Sequence, residues 1–171
     1  APMTPAAIAE RLADPAALAR ISRSFSDDAE MVSQPGRVVP AAVLVPIVSH
    51  PDEPSVLLTL RSPRLSSHAG QVSFPGGRME PGETPEAAAV REAAEEVGLD
   101  PRLPELIGRL PEHLTGTGYH VTPVVALLPA PLVLTPDPAE VAEAFELPLS
   151  TVLDPAAPER RSGEFRGRRR E

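Results

Sequence analysis

The sequence predicts an α/β fold, on two observations: β-type apolar runs recur along the chain, and one well-capped amphipathic helix stands between them. Residues 38–49 (VVPAAVLVPIVS) and 55–61 (SVLLTLR) are dense in aliphatic and β-branched residues, and His50-Pro51-Asp52-Glu53-Pro54 between them has the chemistry of a turn. Further strands are expected near 71–73, 106–110, 119–128 and 141–147, and residues 148–153 (PLSTVL) read as a short helical turn. Residues 1–34 read as an Ala-rich helical lead-in, with Thr4-Pro5 and Asp14-Pro15 as helix starts. The remaining residues, 35–171, suit a single domain with a sizeable core. No internal repeat is visible.

The central helix is set by its ends. Thr84 is an N-cap residue, Pro85 takes the first helical position, and Glu86 puts an anion in the first turn, where the macrodipole favours it. Gly98 stands just past the last turn, where a left-handed residue closes a helix. Val90, Ala93, Ala94 and Val97 recur at i, i+3, i+4 and i+7 as an apolar stripe. At about 100° per residue, Glu92, Glu95 and Glu96 then fall on the opposite arc.

Three glutamates in five positions admit two readings. One is a solvated helix face. The other is a divalent metal site, and two features favour it. Like charges at i, i+4 destabilise a helix, and only Arg91 is placed to offset them. The run Phe74-Pro75-Gly76-Gly77, with Gly82-Glu83 after it, also brings accessible backbone up to the helix. Carboxylate oxygens together with main-chain carbonyls are the donors that hard cations prefer. The candidate metal ligands are Glu92, Glu95 and Glu96, with the main chain at Gly76.

From Gly77 to Leu99 the chain reads GRMEPGETPEAAAVREAAEEVGL. This resembles the G-x5-E-x7-R-E-U-x-E-E-x-G-U signature of the Nudix hydrolases, where U is a bulky aliphatic residue. Gly77, Glu83, Arg91, Glu92, Glu95, Glu96 and Gly98 fill every fixed position. Leu99 fits, and Ala93 is smaller than the aliphatic residue usual at its place. The resemblance implies a Nudix-type α/β/α sandwich with a mixed β-sheet, and hydrolysis of a nucleoside diphosphate linked to another moiety. It also implies Mg2+ or Mn2+ bound by Glu92, Glu95 and Glu96. Glu83 and Arg91 complete the expected catalytic set as a salt bridge that positions loop and helix. Such a cation lowers the pKa of an attacking water and offsets charge on phosphoryl oxygens. It would also bridge a polyphosphate to a protein whose net charge of −8 otherwise repels it.

A second stretch narrows the substrate. Leu57-Leu58-Thr59-Leu60-Arg61-Ser62 and LSSHAGQVSFPGG (65–77) are similar to the LLTxRS…LRxHxGQxxFPGG element of the coenzyme A pyrophosphatase branch. One position departs: Ser66 stands where arginine is usual, with Arg64 two positions earlier. By this resemblance Arg61, Arg64, His68 and Gln71 are the substrate-binding candidates, and the planar fork of Arg61 suits a phosphate. Residues 56–60 need no explanation beyond a buried strand. His68 and Gln71 read equally as loop residues and as contacts to substrate or water. Residues 74–77 shape the turn that delivers the helix.

Residues 116–125 (GTGYHVTPVV) resemble a cleft-lining strand of the same branch, although Tyr119 and His120 are more simply core or edge residues. Many Nudix enzymes draw a general base from outside the signature. Glu140 and Glu143 in DPAEVAE (137–143) are the candidates, set against the commonness of exposed glutamates before a strand. Residues 159–171 carry six arginines and three glutamates and read as a charged hairpin. Related folds continue through another strand and a closing helix, so an incomplete C-terminal end is expected.

Composition excludes several classes. With 24 acidic against 16 basic residues, and only four Phe and one Tyr, the chain lacks the footprint of a nucleic-acid groove. There is no cysteine for disulfide or thiol chemistry, no apolar run long enough to span a bilayer, and no charged-then-apolar opening segment. A cytoplasmic location without a membrane partner is therefore expected. All the basic residues are arginine, which fits a GC-rich genome better than a function. A homodimer is common in the resembled family, but no interface is legible here.

The expected activity is cleavage of coenzyme A or its thioesters to 3′,5′-adenosine bisphosphate and a 4′-phosphopantetheine portion. Two alternatives stand beside it. Ser66 favours a pyrophosphatase for ADP-ribose or a dinucleotide such as NADH. The other is a nucleotide-binding Nudix-fold sensor without catalysis, which the complete glutamate set disfavours.

Overall fold

A computed structural model of the chain describes residue 10, residues 38–63, 70–115 and 118–153, and the backbone of 163–165 and 168–170. Among the described residues twelve elements follow in chain order: β1 (Val39–Ser49), β2 (Ser55–Arg61), β3 (Val72–Ser73), β4 (Gly76–Arg78), α1 (Pro85–Val97), β5 (Glu105–Arg109), β6 (His113–Leu114), β7 (Tyr119–Pro129), β8 (Val141–Pro148), α2 (Leu149–Leu153), β9 (Gly163–Phe165) and β10 (Arg168–Arg170). The helical lead-in expected over 1–34 falls, apart from residue 10, outside the described residues.

The sheet is mixed. β1 and β7 lie parallel over their whole length, from Val39 opposite Tyr119 to Ser49 opposite Pro129, and the other pairings are antiparallel. Along the far side of β1, β4 pairs with Ala41–Val43 and β2 with Ile47–Val48. Pro46 falls in the gap between these two partners, where a missing N–H costs no ladder bond. β3 and β8 extend the sheet beyond β2, and β5 and β6 extend it beyond β7. β9 and β10 form a separate antiparallel hairpin, as the charged C-terminal segment was read.

Strand alternation splits the core in two. Leu44, Val48, Leu57, Val124, Ala126 and Leu128 pack beneath α1 against Ala88, Ala89, Ala93 and Val97. Val45, Ile47, Val56, Leu58, Val125 and Leu127 point the other way, toward Leu149 and Leu153 of α2. Both faces of the sheet are covered, which is why β1 and β7 read as near-continuous apolar runs rather than alternating ones. The architecture is the expected α/β/α sandwich.

Two local expectations need correction. Helix α1 begins and ends as anticipated: Thr84 Oγ1 accepts from the Ala87 N–H at 3.2 Å, and Gly98 closes the helix at φ 67°. Its rotation differs, however. The buried face consists of Ala88, Ala89, Ala93, Glu96 and Val97, so Glu96 lies on the core side rather than on the solvent arc. Of the residues assigned to the core stripe, Val90 packs at the edge of the core, and with Ala94 it also lines an open groove of about 760 Å³ beside Ala87, Pro101 and Leu106. The second correction is that Gly76 and Gly77, read as part of a turn over 74–77, begin strand β4.

Candidate active site

Arg91 organises the loop and helix between β4 and the end of α1. Its Nε donates to Glu83 Oε2 at 2.8 Å and its Nη2 to Glu83 Oε1 at 2.9 Å, a forked ion pair. The same Nη2 reaches the Arg78 carbonyl at 3.0 Å, tying the helix to the end of β4. Nη1 contacts Glu92 at 3.0 Å and Glu95 at 3.3 Å. The Arg91 fork, helped by the Glu80 N–H, holds the Glu83 carboxyl down at about 2. Glu83 and Arg91 thus form the salt bridge that the resemblance implied. Arg91→Lys keeps the charge and loses the fork. It is expected to cost about 1–3 kcal/mol in thermal melting, and to cut turnover at least about tenfold as Glu83 and Glu92 lose their fixed partner.

Deeper in, Glu96 is almost fully buried, and its Oε2 accepts from the Gly76 N–H at 3.4 Å. Burial, and then the charge of Glu92, pushes its carboxyl up to about 8; Glu140 adds to the rise, while Gly76 and Arg61 oppose it. Glu92 is likewise raised by burial, against the pull of Arg91, with Glu95 and Glu140 repelling it further. Glu92 and Glu96 therefore press on each other, with the charge of Glu140 acting on both and that of Arg61 on Glu96. Arg61 Nε is buried and has no hydrogen-bond partner among the described residues.

This donor set fits a hard divalent cation. Two crowded, desolvated carboxyl groups are relieved either by a proton or by a metal that displaces it. Gly77 supplies the room: a Cβ there would lie 2.7 Å from the Glu92 carboxyl carbon. Glu95 is turned outward onto Arg91, and among the described residues no three acidic or histidine side chains already converge as a ligating cluster. Glu92 and Glu96, beside the Gly76 main chain, are the residues that would hold the ion, with Glu95 at the rim.

The remaining candidates separate. Gln71 is exposed; its carbonyl takes the Arg61 N–H at 2.8 Å, and the Gly70 N–H returns to the Arg61 carbonyl at 3.1 Å. The loop between thus leaves and rejoins the sheet at Arg61. Arg64, Ser66 and His68 in it lie outside the described residues. The charge of Glu140 acts on both Glu92 and Glu96, whereas Glu143 lies opposite Leu60 in β8. Tyr119 accepts from Arg78 Nη2 at 3.0 Å, and His120 Nε2 meets Glu112 at 3.0 Å, both at the N-terminal end of β7. Arg78 itself was missed, because it anchors Arg91 through a main-chain carbonyl that no residue type advertises.

Residues 38–164 match the profile of the NUDIX domain. This chain belongs to the Nudix family. The proteins called uncharacterized Nudix hydrolase NudL agree: that of Escherichia coli O7:K1 is 50% identical over 114 residues, 66% of this chain. The match spans 59% of that relative's own length. Among solved structures, the Nudix hydrolase RenU of M. smegmatis superposes with a TM-score of 0.61 at 30% identity, covering 74% of this chain and 80% of that one. The Nudix domain of Shewanella oneidensis NrtR, solved with ADP-ribose, shares the fold at a TM-score of 0.53 and 21% identity, covering 71% and 81%. No helix among the described residues of this Nudix chain is long and apolar enough to cross a membrane.

Proposed function

We propose that this Nudix protein is a Mg2+- or Mn2+-dependent pyrophosphatase acting on coenzyme A or its thioesters. The observation that carries the hydrolytic reading is the half-buried Glu92 beside the buried Glu96, with the charges of Glu140 and Arg61 acting on them. A bound cation supplies an acidified water and neutralises phosphoryl charge. Glu140 stands outside the ligand pair and takes the proton of the attacking water, while the Arg61 guanidinium holds the diphosphate. Water adds to one phosphorus and the bridging oxygen leaves with the other half, giving 3′,5′-adenosine bisphosphate and 4′-phosphopantetheine or its acyl derivative.

The substrate reading rests on the segment from Leu57 to Gly77, and on the return of its loop to Arg61. Ser66 supports a second reading, in which ADP-ribose or a dinucleotide is cleaved instead. A panel of coenzyme A, an acyl-coenzyme A, ADP-ribose, NADH and a diadenosine polyphosphate, with products identified by mass, decides between them. Coenzyme A is expected to be cleaved fastest. Preference for ADP-ribose or NADH would retain the glutamate site and discard the reading of the upstream loop. A chain that binds a nucleotide and turns over none of the panel is a sensor.

A further inference from the structure

We propose that Asp137 is a positioning residue that aims Glu140 at the Glu92–Glu96 pair. This rests on the hydrolytic reading above. The segment from Thr135 to Val141 is docked at both ends of the site. On one side, the Thr135 N–H bonds the Val97 carbonyl and the Asp137 N–H bonds the Glu96 carbonyl, each at 2.8 Å. These are last-turn carbonyls of α1 that the helix cannot satisfy itself. On the other side, the Glu140 carbonyl accepts from the Ser62 N–H at 2.9 Å, next to Arg61.

Between these anchors the chain turns on one residue. Asp137 Oδ1 accepts the Ala139 N–H at 3.0 Å, and the Asp137 carbonyl accepts the N–H groups of Glu140 at 3.1 Å and Val141 at 2.8 Å. A side chain and a main chain from one residue thus define the turn that presents Glu140. The Asp137 amide sits on the carbonyl of Glu96, a residue of the acid pair, so the turn and the pair share one frame. The charge of Glu140 is felt at both Glu92 and Glu96, as this placement requires. Asp137 touches neither substrate nor reacting atoms; it acts through Glu140.

The test compares kcat, KM and Tm for the wild type, Asp137→Ala, Asp137→Asn, Glu140→Gln and the double variant Asp137→Ala/Glu140→Gln, each with Mg2+ or Mn2+ and the best substrate of the panel. Glu140→Gln is expected to lose about a hundredfold or more in kcat. Asp137→Ala should lose about tenfold in kcat with KM little changed, since the base is displaced and substrate contacts are not. Asp137→Asn keeps the Oδ1 acceptor and should restore most of the rate. The double variant should be no slower than Glu140→Gln alone, because a displaced base that is already absent costs nothing more. Should Asp137→Ala not fold, Asp137→Ser, with a weaker acceptor, takes its place in the same expected order. Wild-type kcat in Asp137→Ala, an Asn variant as slow as Ala, or additive losses in the double variant would overturn the positioning role while leaving the hydrolytic reading intact. A wild type that hydrolyses no diphosphate removes both.

Discussion

Glu96→Gln is expected to reduce hydrolysis about a thousandfold or more while making the metal-free protein more stable at pH 8. The two effects have one cause. In the folded chain burial, and then the charge of Glu92, holds the Glu96 carboxyl up at about 8, against an ordinary value of 4.5. Between those values the unfolded chain has released a proton that the native chain keeps, so stability falls as pH rises through this window and levels off above it. Glutamine has no such proton to lose. At pH 8 the variant should gain roughly 2 kcal/mol, about 4–8 °C in Tm for a chain of this size, and near pH 4 it should gain nothing.

Metal binding must run the opposite way. A cation that displaces the Glu96 proton binds more tightly as pH rises, by up to about tenfold per unit below 8, with release of a proton that calorimetry in two buffers detects. Melting curves with and without Mn2+ at pH 6 and pH 8 check both signs together. A Gln variant that melts below the wild type at pH 8, or that turns over at the parent rate, would remove Glu96 from the site.

Neighbouring glycines should fail in different ways. A Cβ on Gly77 would meet the Glu92 carboxylate, with Oε1 at 2.8 Å and Oε2 at 2.9 Å. That group is the end of a flexible side chain and can swing aside, so Gly77→Ala should fold with little change in Tm. Its loss is functional: Glu92 no longer stands beside Glu96, and activity should drop about a hundredfold as metal affinity weakens. A Cβ on Gly76 would instead collide with the Ala42 carbonyl and, at 2.6 Å, with a Val43 methyl, both in the central strand β1. Backbone cannot swing aside. Gly76→Ala should therefore lose about 2–4 kcal/mol, through strain and separation of β4 from β1. Parallel measurement of Tm and Mn2+ affinity separates the two; equal destabilisation of both variants would sink the distinction.

Much of the site was legible because its chemistry resides in residue identity. Thr84, Pro85 and Gly98 fix the ends of α1 by capping rules that need no tertiary context. The pairing of Glu83 with Arg91 followed from the resemblance and is present as a fork. The rotation of α1 was not legible. Periodicity counts a glutamate as polar, so it set Glu96 against water, whereas the helix packs Ala88, Ala89, Ala93 and Glu96 together toward the sheet. Strand β4 was hidden because two of its three residues are glycines, which carry no β preference and are held there only by pairing with β1. The docking of residues 135–137 on α1 was hidden for a related reason. It runs through main-chain amides, which every residue but proline possesses.

The parallel pairing of β1 with β7 has a consequence for how the molecule is made. Val39 meets Tyr119 only after the intervening chain, including all of α1, has been synthesised. Closing so long a loop is entropically expensive, and a ribosome-bound chain that ends before β7 leaves one edge of β1 bare. The glutamate helix lies inside that loop, and Glu140 follows β7. The carboxylates can therefore be gathered only late in assembly, and the nascent chain offers a divalent ion no finished site until its central ladder has closed.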